Sequence, residues 1–134
     1  MIIDAVADTH TALWYLFGDA RLSPDAKVFI DDSAQNRHKV AVSSISLAEL
    51  VYLVEKNRLH AVAYTELVQA MNDPEHVFAE AVFTSAIVEA MRGINRDEIP
   101  DMPDRMIAAT AVYFSVPVIS RDRRIRTANL KTVW

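Results

Sequence analysis

No cysteine occurs anywhere in the chain. Disulfides and Cys-ligated zinc are excluded, and an intracellular, cytoplasmic setting is expected. Glycine is nearly as scarce, with 2 in 134 residues. Gly-rich phosphate-cradling loops of the P-loop or dinucleotide type are therefore absent. No apolar run approaches the length of a membrane span, and no basic segment followed by a long apolar run opens the chain as a signal peptide would. An excess of positive charge is missing too: 14 Lys and Arg stand against 18 Asp and Glu, a formal net charge of −4. Such a chain does not coat nucleic acid through its overall field. A phosphate-bearing partner needs a local basic patch or bound cations.

What is present is ordinary for a globular protein: 51% hydrophobic and 24% charged residues, with no repeat, low-complexity segment or linker. The length predicts one domain over residues 1–134 with a sizeable core. Ile2 to Ala7 reads as a buried first strand, interrupted by Asp4. Thr11 to Phe17 reads as a helix stopped by Gly18. Ser23-Pro24 reads as an N-cap and first helical position, opening a helix to about Ser33 with Ala26, Phe29 and Ile30 on one face. Val40 to Val42 is a second strand, followed by helices from about Ser46 to Lys56 and His60 to Met71. Val77 to Phe83 is a third strand, and Thr84 caps a helix ending near Gly93. Asn95 to Pro103 reads as a loop and Asp104 to Phe114 as a helix. Val116 to Ile119 is a fourth strand with proline near its start, Arg121 to Arg126 a basic turn or short helix, and Leu130 to Trp134 a last strand. Strands alternating with helices predict an α/β fold: three layers, α/β/α, around a mostly parallel sheet of four to five strands.

In such sheets ligands bind outside the carboxyl ends of the strands. Four acids stand there or in the helices entered from there: Asp8 after strand one, Glu49 in the helix after strand two, Asp104 opening the helix before strand four, and Asp122 after strand four. Each has a structural reading. Asp8 also suits an N-cap. Glu49 suits a capping box with Ser46. Asp104 suits a helix's positive end, with Asp101 competing for the N-cap. Asp122 suits an ion pair with neighbouring arginines. Converging carboxylates, however, repel one another and are costly to desolvate, and such a cluster calls for a cation. An all-oxygen donor set selects Mg²⁺ or Mn²⁺ rather than zinc or copper. A cation so placed activates water and polarises a phosphoryl oxygen, which points to metal-assisted phosphodiester hydrolysis. Receiver domains and haloacid-dehalogenase-type phosphatases fit poorly: Arg121 stands where a receiver has lysine, and Asp8 is followed by Thr9-His10 rather than the x-Asp-x-Thr of those phosphatases.

The segments Asp8-Thr9-His10-Thr11-Ala12-Leu13-Trp14, Ser43 to Leu50, Asp101 to Ala111 and Val118-Ile119-Ser120-Arg121-Asp122 resemble, in order, the four motifs of PIN-domain proteins, above all the VapC toxins of bacterial toxin–antitoxin pairs. The resemblance spans nearly the whole chain. It implies a PIN-like fold and a Mg²⁺- or Mn²⁺-dependent endoribonuclease that uses metal-activated water. It also implies a dimer inhibited by a small cognate, VapB-like antitoxin. The acids carried over are Asp8, Glu49, Asp104 and Asp122, with Ser120 at the hydroxyl position two before the last acid, where the family more often has threonine. The alternatives are a PIN nuclease of RNA processing and a PIN-fold binding module without catalysis.

Among lesser residues, Thr9 supports the first acid, and Arg105 reads as an orienting or ion-pairing residue beside Asp104. Arg121, Arg123, Arg124 and Arg126 form the only dense basic run, suited to RNA phosphates or to a solvated face with ion pairs. His10 reads as a local packing or capping residue, with contact to the site as the alternative. His38, His60 and His76 have no ligand spacing. The aromatic-rich Trp14 to Phe17 and the helix pair between Ser46 and Met71 are candidate surfaces for a partner protein.

Overall fold

The computed structural model describes all 134 residues. Five strands form one parallel sheet: β1 (Ile3–Ala7), β2 (Lys39–Ser43), β3 (Phe78–Ala81), β4 (Val118–Ile119) and β5 (Thr132–Val133), in the order β3-β2-β1-β4-β5. Seven helices surround it: α1 (Thr9–Leu16), α2 (Pro24–Gln35), α3 (Ser44–Glu55), α4 (Ala61–Asn72), α5 (Ser85–Met91), α6 (Met102–Phe114) and α7 (Arg123–Thr127). None is long and apolar enough to cross a membrane.

The period of two along the strands divides the core. Ala5, Ala7, Val40, Val42 and Ile119 pack with Leu13, Ile30, Leu50, Leu67 and Phe78, burying the apolar faces of α1 to α4. Val6, Ala41 and Val118 point the other way, against Ile87 of α5, Ile107 and Ala108 of α6, and Ile125 of α7. Both faces are covered, which explains why the strands read as near-continuous apolar runs. Each fully buried side chain such as Ile30 or Phe78 contributes about 2 kcal/mol of transfer free energy.

Asp4 fits this sheet through an irregularity. Ile3 pairs with Lys39 and Ala5 with Val40, so two steps on β1 match one on β2 and Asp4 is the extra residue of a bulge. Its carboxylate accepts from Ser33 Oγ at 2.8 Å and lies 3.0 Å from His38 Nδ1, away from the carboxyl ends of the strands.

Several element boundaries differ from the sequence reading. α3 begins at Ser44 rather than Ser46, because the Ser43 hydroxyl is its N-cap and accepts from Ile45 N–H at 3.1 Å. α6 begins at Met102 rather than Asp104: Pro103 lies within its first turn, where a missing N–H costs nothing. β3 is shorter than Val77 to Phe83, and β4 and β5 contain two residues each.

The strand order places a topological switch point at the centre. From β1 the chain first builds outward through β2 and β3, then returns to the other side of β1 for β4 and β5. A crevice opens between the carboxyl ends of β1 and β4, where the connections leave in opposite directions. The two ends are tied together: Asp8 N–H donates to Ile119 O at 3.2 Å, and the Thr11 hydroxyl donates to the same carbonyl at 3.0 Å.

Candidate active site

A cleft of about 350 Å³ lies at this switch point. Asp8, Glu49, Asp104 and Asp122 all line it, joined by Asp101. Three of the five are helix N-caps, which explains how short polar turns deliver them to one place. Asp8 follows β1 in extended conformation, and its Oδ1 accepts from Thr11 N–H at 2.9 Å. Asp101 Oδ1 accepts from Asp104 N–H at 3.1 Å at the start of α6. Asp122 Oδ1 accepts from Arg124 N–H at 2.8 Å at the start of α7. Each uses one carboxylate oxygen for the cap, leaving the second without a hydrogen-bond partner in the protein. The capping reading and the cleft reading of Asp8 and Asp122 are thus compatible. Asp101, weighed from sequence only as a cap, is both the cap and a fifth acid of the cleft.

Glu49 arrives differently. The capping box with Ser46 does not form, because Ser43 is the N-cap and Ser46 is already inside the helix. Thr9 takes both side chains instead: its hydroxyl is 2.6 Å from Glu49 Oε1 and 2.8 Å from Ser46 Oγ. A carboxylate only accepts, so the Thr9 proton goes to Glu49 and Ser46 supplies the other bond. The first turn of α1 thereby orients the carboxylate of α3. Ser120 is buried and faces its own turn, where its Oγ accepts from Asp122 N–H at 2.9 Å and sets the approach of Asp122.

The electrostatics converge on Asp104. Its carboxyl is pushed up from 3.8 to about 7, first by burial and then by the charges of Asp101, Asp122, Glu49 and Asp8. All of these influences favour the protonated acid. The donor set is all oxygen, which suits a hard divalent cation. The residues present fit such an ion by their chemistry, although no three acidic or histidine side chains close on a single point.

The basic residues divide. Arg121 lines the cleft, its guanidinium 4.6 Å from the centroid of the Trp14 ring. Arg123, Arg124 and Arg126 are exposed on α7, outside the cleft lining, and form no ion pair. Arg105 does not support the acids. Its guanidinium turns away and donates to the carbonyls of Met91 and Ile94, both at 3.1 Å, closing the segment between α5 and α6. Arg105 is not an ion-pairing residue either: those carbonyls are the C-terminal acceptors of α5 and of the turn after it, and they take the place of a carboxylate. His10 is exposed at the cleft and packs its ring 5.6 Å from Trp14. Sequence reasoning missed Arg21, which also lines the cleft. The available signal was Asp19-Ala20-Arg21 just after the Gly18 stop, a spacing that brings Arg21 back onto α1.

A second, more apolar groove of about 520 Å³ adjoins the cleft and shares His10, Trp14, Arg21 and Glu49 with it. Leu13, Phe17, Leu53, Leu59 and Ala63 supply the rest of its apolar lining, with Asp19 and Arg58 beside them, and Phe17 is half exposed.

Comparison with known proteins places this geometry. A family model described as the PIN domain matches residues 5–130. The chain is 30% identical over 131 residues to ribonuclease VapC22 of Mycobacterium tuberculosis, covering 95% of each. In fold it is similar to the VapBC2 complex of Rickettsia felis bound to a promoter DNA fragment (TM-score 0.67, 17% identity, 95% of this chain and 96% of that one). It is also similar to a toxin–antitoxin complex from Klebsiella pneumoniae (TM-score 0.62, 20% identity, 98% and 97%). A third solved structure, FitAcB from Neisseria gonorrhoeae, superposes with a TM-score of 0.58 at 20% identity, over 96% and 95% of the two chains. With a family model over nearly its whole length and a curated relative of the same extent, the chain belongs to the PIN-domain family.

Proposed function

We propose that this chain is a VapC-type, Mg²⁺- or Mn²⁺-dependent endoribonuclease acting in the cytoplasm as the toxin of a toxin–antitoxin pair. The observation that carries the reading is the convergence of five carboxylates on one cleft with Asp104 raised to about 7. The named ribonuclease relative supplies RNA as the substrate class.

In this reading Asp8, Glu49, Asp104 and Asp122 hold the cation. When bound, Mg²⁺ or Mn²⁺ supplies Lewis acidity toward water and the scissile phosphate. The protein does the positioning. Thr9 fixes Glu49, the three N-caps fix Asp8, Asp101 and Asp122, and Ser120 fixes the turn before Asp122. Near neutral pH Asp104 is partly protonated, and a cation held there would favour its ionised form. The partners are RNA, a small antitoxin protein and a second copy of this chain. The apolar groove beside the cleft supports the antitoxin, since a segment seated there reaches the acids through the shared residues.

Incubating a total-RNA pool with the purified chain tests the reading. Discrete new ends should appear with Mg²⁺ or Mn²⁺ and vanish with EDTA, and co-purified antitoxin should suppress them. Cleavage that is indifferent to EDTA would overturn the metal-dependent assignment.

A further inference from the structure

Two guanidinium groups share the Trp14 indole at the rim of the acid cleft: Arg121 at 4.6 Å and Arg21 at 5.1 Å from the ring centroid. Trp14 itself is 6% exposed, so the ring is a fixed floor rather than a stacking surface for a base. Arg21 reaches it because α1 ends in a left-handed turn. Gly18 has φ 62°, Gly18 N–H donates to Tyr15 O, and Asp19 N–H folds back to Trp14 O at 2.8 Å. The chain thus doubles back over its own helix. Asp19 then grips Arg21 from one side, accepting from Nε at 3.0 Å and Nη2 at 2.7 Å. The same N–H donors hold the Asp19 carboxyl down at about 2.

That grip leaves Nη1 of Arg21 without a protein partner, and Arg121 makes neither an ion pair nor a side-chain hydrogen bond. An indole attracts a cation through its ring quadrupole, but two cations on one ring repel each other. The arrangement has an obvious complement in an anion. Guanidinium groups with uncommitted edges are suited to phosphate oxygens, and one pre-fixed by a carboxylate loses less freedom on binding.

We propose that Arg21 and Arg121, mounted on Trp14, form the subsite for a backbone phosphate flanking the scissile bond, with Asp19 as the positioning residue for Arg21. This rests on the endoribonuclease reading above. The cleft then has two parts. The acids, through a cation, take the phosphate to be cut, and the arginine pair takes its neighbour and fixes the register of the strand. An acidic protein can hold RNA in this way without a basic surface, since only the phosphates within the cleft need partners.

The test measures binding of a fluorescein-labelled single-stranded RNA of about a dozen nucleotides, with Ca²⁺ in place of Mg²⁺ to slow turnover, across a salt series. Arg21→Gln should raise Kd about tenfold, as loss of one charge-assisted bond implies. It should also reduce the slope of log Kd against log salt by about 0.7, the value for one phosphate contact to a single strand. Arg21→Lys should restore the slope while recovering only part of the affinity, and Asp19→Asn should raise Kd with the slope retained. In cleavage assays Arg21→Gln should act on KM more than on kcat. A purely structural role would lower the melting temperature and leave the salt slope untouched. An unchanged slope and Kd in Arg21→Gln, with the native chain still binding and cutting RNA, would overturn the subsite alone. The same result with weakened antitoxin inhibition would assign the pair to the protein partner, again overturning it. A native chain that neither binds nor cuts RNA would remove the endoribonuclease reading and the subsite together.

Discussion

At Asp104, burial and four neighbouring carboxylates act in the same direction, and both favour the protonated acid. The folded value of about 7 lies above the ordinary 3.8, so between these pH values the folded chain holds a proton that the unfolded chain has lost. This group therefore makes the metal-free protein less stable as pH rises from about 4 to about 7, with the loss complete above that range. Asp104→Asn removes the titration. In EDTA, the melting temperature of the variant relative to the native chain should increase by a few degrees between pH 5 and pH 8. A difference independent of pH would contradict the assignment. Asp8 and Asp122 were legible in the sequence because strand ends followed by polar residues can be recognised without tertiary information, whereas Asp101 was read only as a cap. Thr9's hold on Glu49 was not legible, since the two residues are 40 apart and meet only in the fold. Arg105 was misread for a related reason. Adjacency to Asp104 in sequence suggested a shared role, but successive positions on a helix point in different directions.

The elements most informative about the site are the short polar turns around α1. Asp8 opens the helix and Gly18 closes it, so one helix both presents an acid and returns Arg21 to the cleft. Gly18 sits at φ 62° with nothing within 4 Å of where a Cβ would stand, so its cost on substitution is conformational rather than steric. Gly18→Ala should destabilise the protein by about 1 kcal/mol, visible as a lower urea midpoint at unchanged m-value. An unchanged midpoint would show that the turn tolerates another geometry. The helix stop at Gly18 was readable, because glycine after an apolar periodic run has few other reasons to be there. The start of α3 was not: Ser43, Ser44 and Ser46 all suit a cap, and the pairing of Thr9 with Ser46 distinguishes them. Likewise Pro100 and Pro103 looked like one loop, although Pro103 lies inside the first turn of α6. The bulge at Asp4 left no local trace beyond a charge in an apolar strand.

For the whole molecule, the organising fact is the strand order. The switch point between β1 and β4 collects residues from four separate segments into one cleft, although the chain carries a net charge of −4 and no phosphate-binding loop. The alternation of strands and helices was enough to read the three-layer class. The position of β5 beside β4, which completes the sheet, depended on a two-residue pairing that composition does not announce. Five of the acids are concentrated in the cleft, with Arg21 and Arg121 beside them. This account of the cleft as a metal-dependent RNA-cleaving centre is tested most directly by the cleavage rate of Asp8→Asn against the native chain. The assay uses saturating Mg²⁺ or Mn²⁺, with melting curves to verify that both are folded. Asn retains the cap to Thr11 while removing the charge, so the account predicts an intact fold and a rate reduced by about a thousandfold or more, as for loss of a principal metal ligand. A folded Asp8→Asn protein that cuts RNA at the native rate would contradict it.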